Sequence, residues 1–276
     1  YVAPRHMEAI KNINGELVTI LDPNDSVGII DRFHPKASYF SEYERFDREV
    51  DRLRRMGKGL DYISIASPNY LHDAHIRFAL KNGSHAICEK PLVLNPYSIT
   101  SLEELEKETG KKIYPILQLR LHPTIISLKE SVGKKNEVQL KYVTPRGKWF
   151  HYSWKGDSVK SGGIATNIGI HFFDMLLWIF GSVKNNFVEY HTNYKAGGYL
   201  ELERANVNWE LSIDERDLPH DDWKAFRSIK INGEEIDFSS GFTDLHTKSY
   251  EEILNGNGFT LEDSKPTLDL VHKIRN

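Results

Sequence analysis

Among the residues of this sequence, Lys90 has the surroundings that most narrow its chemistry. It stands in Glu89-Lys90-Pro91, directly after the apolar run His85 to Cys88. Proline disfavours helical backbone at the residue before it, so Lys90 is predicted to be extended, with its ammonium projecting away from the chain. In a cleft closed over a cofactor, a lysine loses part of its proton affinity to desolvation and works as an acid or base near neutral pH. In an open turn the same tripeptide is only a solvated charge. His171 is the second candidate. Asn167 and His171 lie four residues apart in an apolar stretch, so on a helix they share one face and reach the same ligand. Asn167, following Gly162-Gly163, is equally well placed to cap a helix N-terminus, and His171 read alone is a buried, hydrogen-bonded histidine.

Asp22 ends the run Leu17 to Leu21. An acidic residue at the carboxyl end of the second strand of a doubly wound sheet accepts hydrogen bonds from an adenosine ribose and repels a 2′-phosphate, which favours NAD over NADP. Asp22-Pro23-Asn24-Asp25 is also a turn composition in any protein. The glycine-rich turn that should precede Asp22 by about 20 residues is not in the chain, and it and the first strand are expected upstream of Tyr1. Ser67-Pro68-Asn69-Tyr70-Leu71-His72 follows the strand-like run Tyr62 to Ala66, as Glu89-Lys90-Pro91 follows Cys88. Both therefore fall at the carboxyl edge of a parallel sheet, where open α/β sheets bind ligands.

The elements that must position these residues alternate up to about residue 121. Helices are predicted up to Gly15, from Tyr43 to Gly57, from His72 to Asn82 and from Ser98 to Thr109, the last opened by a Thr100/Glu103 capping box and closed by Gly110. Strands are predicted at Leu17–Leu21, Tyr62–Ala66, His85–Cys88 and Ile113–Leu119. This rhythm is that of a Rossmann-type parallel α/β domain, 1–121. From 122 to 276 longer strands dominate: Val138–Thr144, Phe187–Tyr190, Tyr199–Glu203, Val207–Ile213 and a hairpin, Ile229–Ile231 with Glu235–Asp237, turned at Asn232-Gly233. An apolar helix over about 168–180 is predicted to pack on that sheet. The second unit is thus an α+β domain with a mostly antiparallel sheet, serving substrate binding and oligomerisation.

Composition excludes several classes. The net charge is −3 with both signs mixed, so no basic stripe exists for nucleic acid or an anionic membrane. The single cysteine, Cys88, rules out an intramolecular disulfide and a cysteine zinc site and fits a reducing compartment, with the cytoplasm expected. The apolar run Ile170 to Phe180, broken by His171 and Asp174, falls short of the roughly 20 residues of a membrane span. A metal site from His171, Asp174 and either His122 or His151 lacks a tight ligand pattern, and none is expected.

In order and spacing, the acidic end at Asp22, Ser-Pro-Asn-x-x-His, Glu-Lys-Pro, Gln118-Leu119-Arg120, Trp154-Lys155, Gly162-Gly163 and His171 resemble the Gfo/Idh/MocA oxidoreductase family over nearly the whole chain. The resemblance implies that Lys90 and His171 line the reacting centre. It implies an NAD contact surface of Asp22, Ser67, Pro68, Asn69, His72, Glu89, Lys90, Gln118, Arg120, Trp154 and Lys155. The family pattern usually carries an aspartate where this chain has Asn167, and an amide cannot serve as a base. The runs Thr144–Trp149, Ser161–Asp174 and Gly198–Glu203 are most similar to the bacterial branch that oxidises UDP-N-acetyl-glucosaminuronate at C3 for lipopolysaccharide O-antigen synthesis.

That likeness implies a nucleotide-sugar substrate held by Lys90, Arg146, Trp149, Asn167 and His171. Arg146 offers a planar fork to a uronate carboxylate, and Lys148 or Lys155 can face phosphates, though exposed cations are commonly plain solvated charges. Trp149, Phe150, Tyr152 and Trp154 can stack on a uracil or nicotinamide ring or pack under the sheet. The implied reaction is NAD-dependent oxidation of a CH–OH group, with either Lys90 or His171 as base. A related branch reoxidises NADH with 2-oxoglutarate. The rivals are an inositol or free-sugar substrate, a non-catalytic NAD or UDP-sugar sensor, and a structural subunit of a glycan assembly. A homodimer or homotetramer is expected in each case.

Overall fold

A computed structural model of the chain describes residues 2–24, 28–220, 222–237 and 244–276. Tyr1 and Asp25, the last residue of the predicted turn, lie outside them. The first unit runs α1 (Ala3–Asn12), β1 (Thr19–Leu21), α2 (Gly28–Phe33), β2 (Ser38–Phe40), α3 (Tyr43–Arg55), β3 (Tyr62–Ile65), α4 (His72–Lys81), β4 (His85–Cys88), α5 (Ser98–Thr109) and β5 (Ile113–Pro115). Strand β1 pairs with β2, and β3, β4 and β5 pair in that order, all parallel. Helix α3 forms because Phe46, Val50 and Leu53 make one apolar stripe, all three buried, against an otherwise charged surface. Helix α5 starts two residues before Thr100, so the predicted capping box does not form. An Asx turn opens the helix instead: the Tyr97 N–H donates to Asn95 Oδ1 at 3.1 Å. Gly110, at φ 67°, closes it as predicted. Elements α2 and β2 carry no usable sequence signal, because six and three residues are too few to show a period.

The second unit adds α6 (Pro123–Ser131), β6 (Glu137–Val143), α7 (Lys148–Tyr152), α8 (Ser158–Ser161), α9 (Ile170–Phe180), β7 (Val183–His191), β8 (Lys195–Leu202), β9 (Asn206–Ser212), β10 (Phe226–Ile231) and β11 (Glu234–Glu235). The sheet order is β11-β10-β6-β9-β8-β7, antiparallel except for the β6–β9 pair. The hairpin turns where Asn232 and Gly233 predict it, with φ 53° and 88°, the left-handed values a type I′ turn requires. Helix α9 is buried nearly all round. It seats Phe173 edge-on against Trp209 of β9 at 5.2 Å and Phe172 against Tyr142 of β6 at 4.8 Å. Phe173 and Phe180 are fully buried, and each contributes on the order of 2 kcal/mol by area.

Helix α9 does not start the apolar run by itself. With α8 and a π-helical turn at Ala165–Gly169 it forms one helical run of 23 residues, Ser158–Phe180, long and apolar enough by composition to cross a membrane. The run was expected to fall short of that length; the extension comes from α8 and the π turn. Of its most apolar stretch, 78% is packed inside the protein, so it serves as the core helix of the second unit.

Two further helices, α10 (Leu245–Leu254) and α11 (Leu261–Arg275), close the chain. Helix α11 lies along α9, whereas α10 packs on α1 of the first unit. The chain therefore returns across the division predicted at residue 121.

Gly162 shows why Gly162-Gly163 is spelled as it is. Its φ is 83°, and a Cβ there would lie 2.7 Å from the Thr166 side chain and 2.8 Å from Leu94. Gly162→Ala is therefore expected to destabilise the fold by about 2 kcal/mol or more. Urea denaturation checks this; a loss below about 0.5 kcal/mol would mean that the turn is relaxed.

Candidate active site

The two loops that leave β3 and β4 at their carboxyl ends are joined by one side chain. His72, 1% exposed, sits with Nδ1 2.7 Å from the Pro91 carbonyl and Nε2 2.8 Å from the Ser67 carbonyl. Ser67 Oγ meets His75 Nδ1 at 2.9 Å. Asn69, also buried, donates from Nδ2 to the Ser161 carbonyl at 2.8 Å and to Asn167 Oδ1 at 3.4 Å. Ser-Pro-Asn-x-x-His is thus a brace: it fixes the Pro91 loop and docks the first unit on the helical run of the second. The Lys90–Pro91 peptide is cis.

Lys90 and His171 meet across the units. Both are half-buried, and both line a cavity of about 20 Å³ with Leu117, Ile170 and Asp174. Burial pushes the Lys90 ammonium below the ordinary lysine value; Glu89 pulls it up again and Lys155 pushes it down. Burial, then the Lys90 charge, holds His171 well below the ordinary histidine value, with Arg227 and His246 adding to the effect and Glu89 opposing it. At neutral pH His171 is therefore a neutral imidazole able to accept a proton. Asn167 lies inside the π turn, not at a helix N-cap. It faces Asn69 and lines a larger cavity, about 520 Å³, together with Lys155, Gly163, His272 and Arg275.

The aromatic run after β6 surrounds one cation. Lys155 Nζ lies 5.6 Å from the Trp149 ring centre and 5.7 Å from that of Trp154, while the Arg146 guanidinium lies 5.6 Å from the Phe150 ring. Burial, then Arg146, lowers the Lys155 pKa. Arg146, Lys148 and Trp149 are exposed, and Trp149 retains 69% of its surface.

Residues predicted to face the cofactor divide in two. Asp22 follows β1, its N–H donating to the Phe40 carbonyl and its Oδ1 accepting from the Asn24 N–H at 2.9 Å, so the turn and the strand end are the same structure. Gln118 follows β5, and its Oε1 is buried with no protein partner. An acceptor left open at the carboxyl edge of a parallel sheet fits an amide donor such as a nicotinamide carboxamide. Arg120 and Glu89 are turned elsewhere. The Arg120 guanidinium donates from Nε and Nη2 to Asp174 at 3.0 and 2.7 Å and from Nη1 to Asp263 at 3.1 Å, so it braces α9 and α11 where a cofactor contact was predicted. Glu89, 5% exposed, accepts from His6 and His246 on Oε1 and from its neighbour's backbone on Oε2.

The weighed metal ligands have other partners. Asp174 takes Arg120 and Thr267, the His122 ring accepts from the Thr124 N–H, and His151 packs against Tyr194. His6, Glu89 and His246 do bring donor atoms within 4.8 Å of one another. Their contacts of 3.0 and 2.8 Å are those of two imidazole N–H groups hydrogen-bonded to one carboxylate oxygen. Neither histidine was singled out in the sequence, because each lies on a short helix with no motif around it.

Residues 1–116 match the family profile described as "Oxidoreductase family, NAD-binding Rossmann fold", and residues 129–210 match its "C-terminal alpha/beta domain". The chain is similar to the WlbA (WbpB) dehydrogenase from Thermus thermophilus, with 48% identity and a TM-score of 0.95, covering 100% of this chain and 92% of that one. That protein has been solved in complex with NAD and UDP-GlcNAcA, and with NAD and alpha-ketoglutarate. Curated relatives include the D-glucoside 3-dehydrogenase of Escherichia coli (strain K12), 26% identical over 55% of this chain. The glucose-6-phosphate 3-dehydrogenase of Bacillus subtilis (strain 168) is 26% identical over 66%. The chain spans about half the length of these curated relatives, 47% and 51%.

Proposed function

The chain belongs to the Gfo/Idh/MocA oxidoreductase family, and from that membership we propose that it oxidises the C3 hydroxyl of a UDP-N-acetyl-hexosaminuronate to the 3-keto sugar with NAD. The observation that carries this reading is the placement of Lys90 and His171 on one cavity at the carboxyl edge of the parallel sheet. The likeness to a dehydrogenase solved with NAD and UDP-GlcNAcA supplies the substrate class. Bound NAD would be held along the ends of β1, β3, β4 and β5, by Asp22, the Ser67 loop and Gln118, and would supply the hydride acceptor.

The protein's own part is to take the hydroxyl proton and hold the oxygen. His171, neutral because it is buried beside Lys90, accepts the proton as the C3–H bond gives up its electron pair; Lys90, as the cation, stabilises the oxygen becoming the ketone. Asn167 hydrogen-bonds the sugar on the same helical face. The larger cavity beside Asn167, with Lys155 and Arg275 on its wall, suits a diphosphate better than an inositol would require. With 2-oxoglutarate bound, the same pair would return a proton to the keto oxygen, and the reduced cofactor, if retained, would supply the hydride that makes the 2-hydroxy acid.

This activity would serve lipopolysaccharide O-antigen sugar synthesis in the cytoplasm. We place an oligomer contact, dimer or tetramer, on the sheet face bearing Phe187 of β7, 62% exposed; sedimentation showing a monomer would count against it. The function is tested by mixing the protein and NAD with UDP-N-acetyl-glucosaminuronate, with and without 2-oxoglutarate. Reduced-nicotinamide absorbance, or 2-hydroxyglutarate when the keto acid is present, is expected. UDP-sugar binding with no redox change would instead make the protein a sensor, and turnover of inositol or free glucose alone would replace the substrate.

A further inference from the structure

Glu89 is held from both sides by elements distant in the chain. Its Oε1 accepts from His6 Nε2 on α1 at 3.0 Å and from His246 Nε2 on α10 at 2.8 Å. His6, His246 and Glu89 are 3%, 6% and 5% exposed. A carboxylate only accepts, so both imidazoles carry their proton on Nε2. His6 Nδ1 is then an acceptor, and it faces two hydroxyls, Tyr250 Oη at 2.8 Å and Ser64 Oγ at 3.0 Å, which bond each other at 2.8 Å. The other end of the cluster is Lys90: the Lys90 backbone N–H donates to Glu89 Oε2 at 3.3 Å.

We propose that His6 and His246 are positioning residues that keep Glu89 charged and fixed, so that this carboxylate sets the proton affinity of Lys90 and couples it to helices α1 and α10. The inference rests on Lys90 being the reacting lysine, and its test needs no turnover. Burial of a lone carboxyl would make it neutral; the hydrogen bonds of His246 and His6, with the Lys90 charge, instead hold Glu89 well below the usual carboxylate range. Glu89 raises the affinity of Lys90 for a proton and Lys155 lowers it. His171 on α9 and His72 on α4 also feel its charge, and burial lowers both, so neither adds a compensating cation. Asp174 of α9 stands on the same cavity but is paired with Arg120, so Glu89 is the carboxylate whose charge raises the proton affinity of Lys90.

The experiment is competitive acetylation of the full chain with acetic anhydride over about pH 6 to 11, with the Lys90 peptide quantified by mass spectrometry, which reads the midpoint of that amine directly. Glu89→Gln should lower the midpoint by about one pH unit, and Glu89→Asp, which keeps the charge, should hold it within about 0.3 unit of wild type. An unmoved midpoint in Glu89→Gln, or an equal shift in Glu89→Asp, overturns the proposal, since a purely structural role treats the two alike. If Glu89→Gln fails to fold, His246→Leu takes its place. With that donor gone, burial drives the Glu89 carboxyl toward its neutral form, and the Lys90 midpoint should fall by about half a unit, in the direction of Glu89→Gln; no movement, or a rise, overturns the clamp. Absence of sugar oxidation with the Glu89 shift present would sink the proposed reaction and leave the clamp standing.

Discussion

Lys90→Met lowers turnover of UDP-N-acetyl-glucosaminuronate by about 10³-fold, while the Kd for NAD changes by less than about threefold. The side chain removed is a half-buried ammonium on the cavity shared with His171, and methionine fills its volume without its charge. Initial rates and NAD-binding fluorescence check the two halves separately. Equal losses in both would place Lys90 at the cofactor alone. Lys90→Arg divides the chemical roles. Arginine keeps a cation and gives up no proton near neutrality, so it retains part of the activity if Lys90 stabilises the oxygen and none if Lys90 is the base. The pH profile follows from the two directions. His171 must be neutral, so activity is present above its depressed pKa; Lys90 must be charged, so activity falls as pH rises through its lowered pKa. A profile that rises through the alkaline limb would reverse the assignment.

Arg120→Met costs about 3–5 kcal/mol at neutral pH, because it leaves Asp174 charged, 3% exposed and without its cation. Burial raises the Asp174 pKa even with Arg120 present. A group with a raised folded-state pKa favours the fold below its unfolded value and loses that contribution as pH rises through the folded one. Without Arg120 the folded value climbs further, so the variant's deficit should shrink between pH 7 and about pH 4, where Asp174 takes up a proton. Urea denaturation at the two pH values reads this; an equal deficit at both would mean that Asp174 is not the group left stranded. Adding Asp174→Leu should recover most of the loss, since a buried pair replaced by apolar groups is often neutral.

Much of the site lay open in the sequence, because its signals are local. Glu89-Lys90-Pro91 and Ser67-Pro68-Asn69 follow β4 and β3, and a strand end in a parallel sheet is legible from a short apolar run and what breaks it. Gly162-Gly163 announces a turn that other residues would strain. The apolar period of α3, the Asn232-Gly233 hairpin and the long strands after residue 136 are likewise readable within a window of a few residues. Asn167 and His171 could be set on one face by counting.

Contacts between distant segments decided the rest. His6, Glu89 and His246 are separated by 83 and 157 residues, and Arg120 stands 54 from Asp174 and 143 from Asp263. No periodicity spans such gaps, and each residue read alone has an ordinary surface alternative. That Arg120 and Glu89 face inward, that α10 returns to α1, and that Lys90 and His171 share a cavity are all consequences of how the two units pack. Sequence alone determined which residues stand at the ends of the strands. Packing determined which of them remain open to a ligand, because burial and partners, set only when the chain is closed, fix whether a charged side chain is already satisfied.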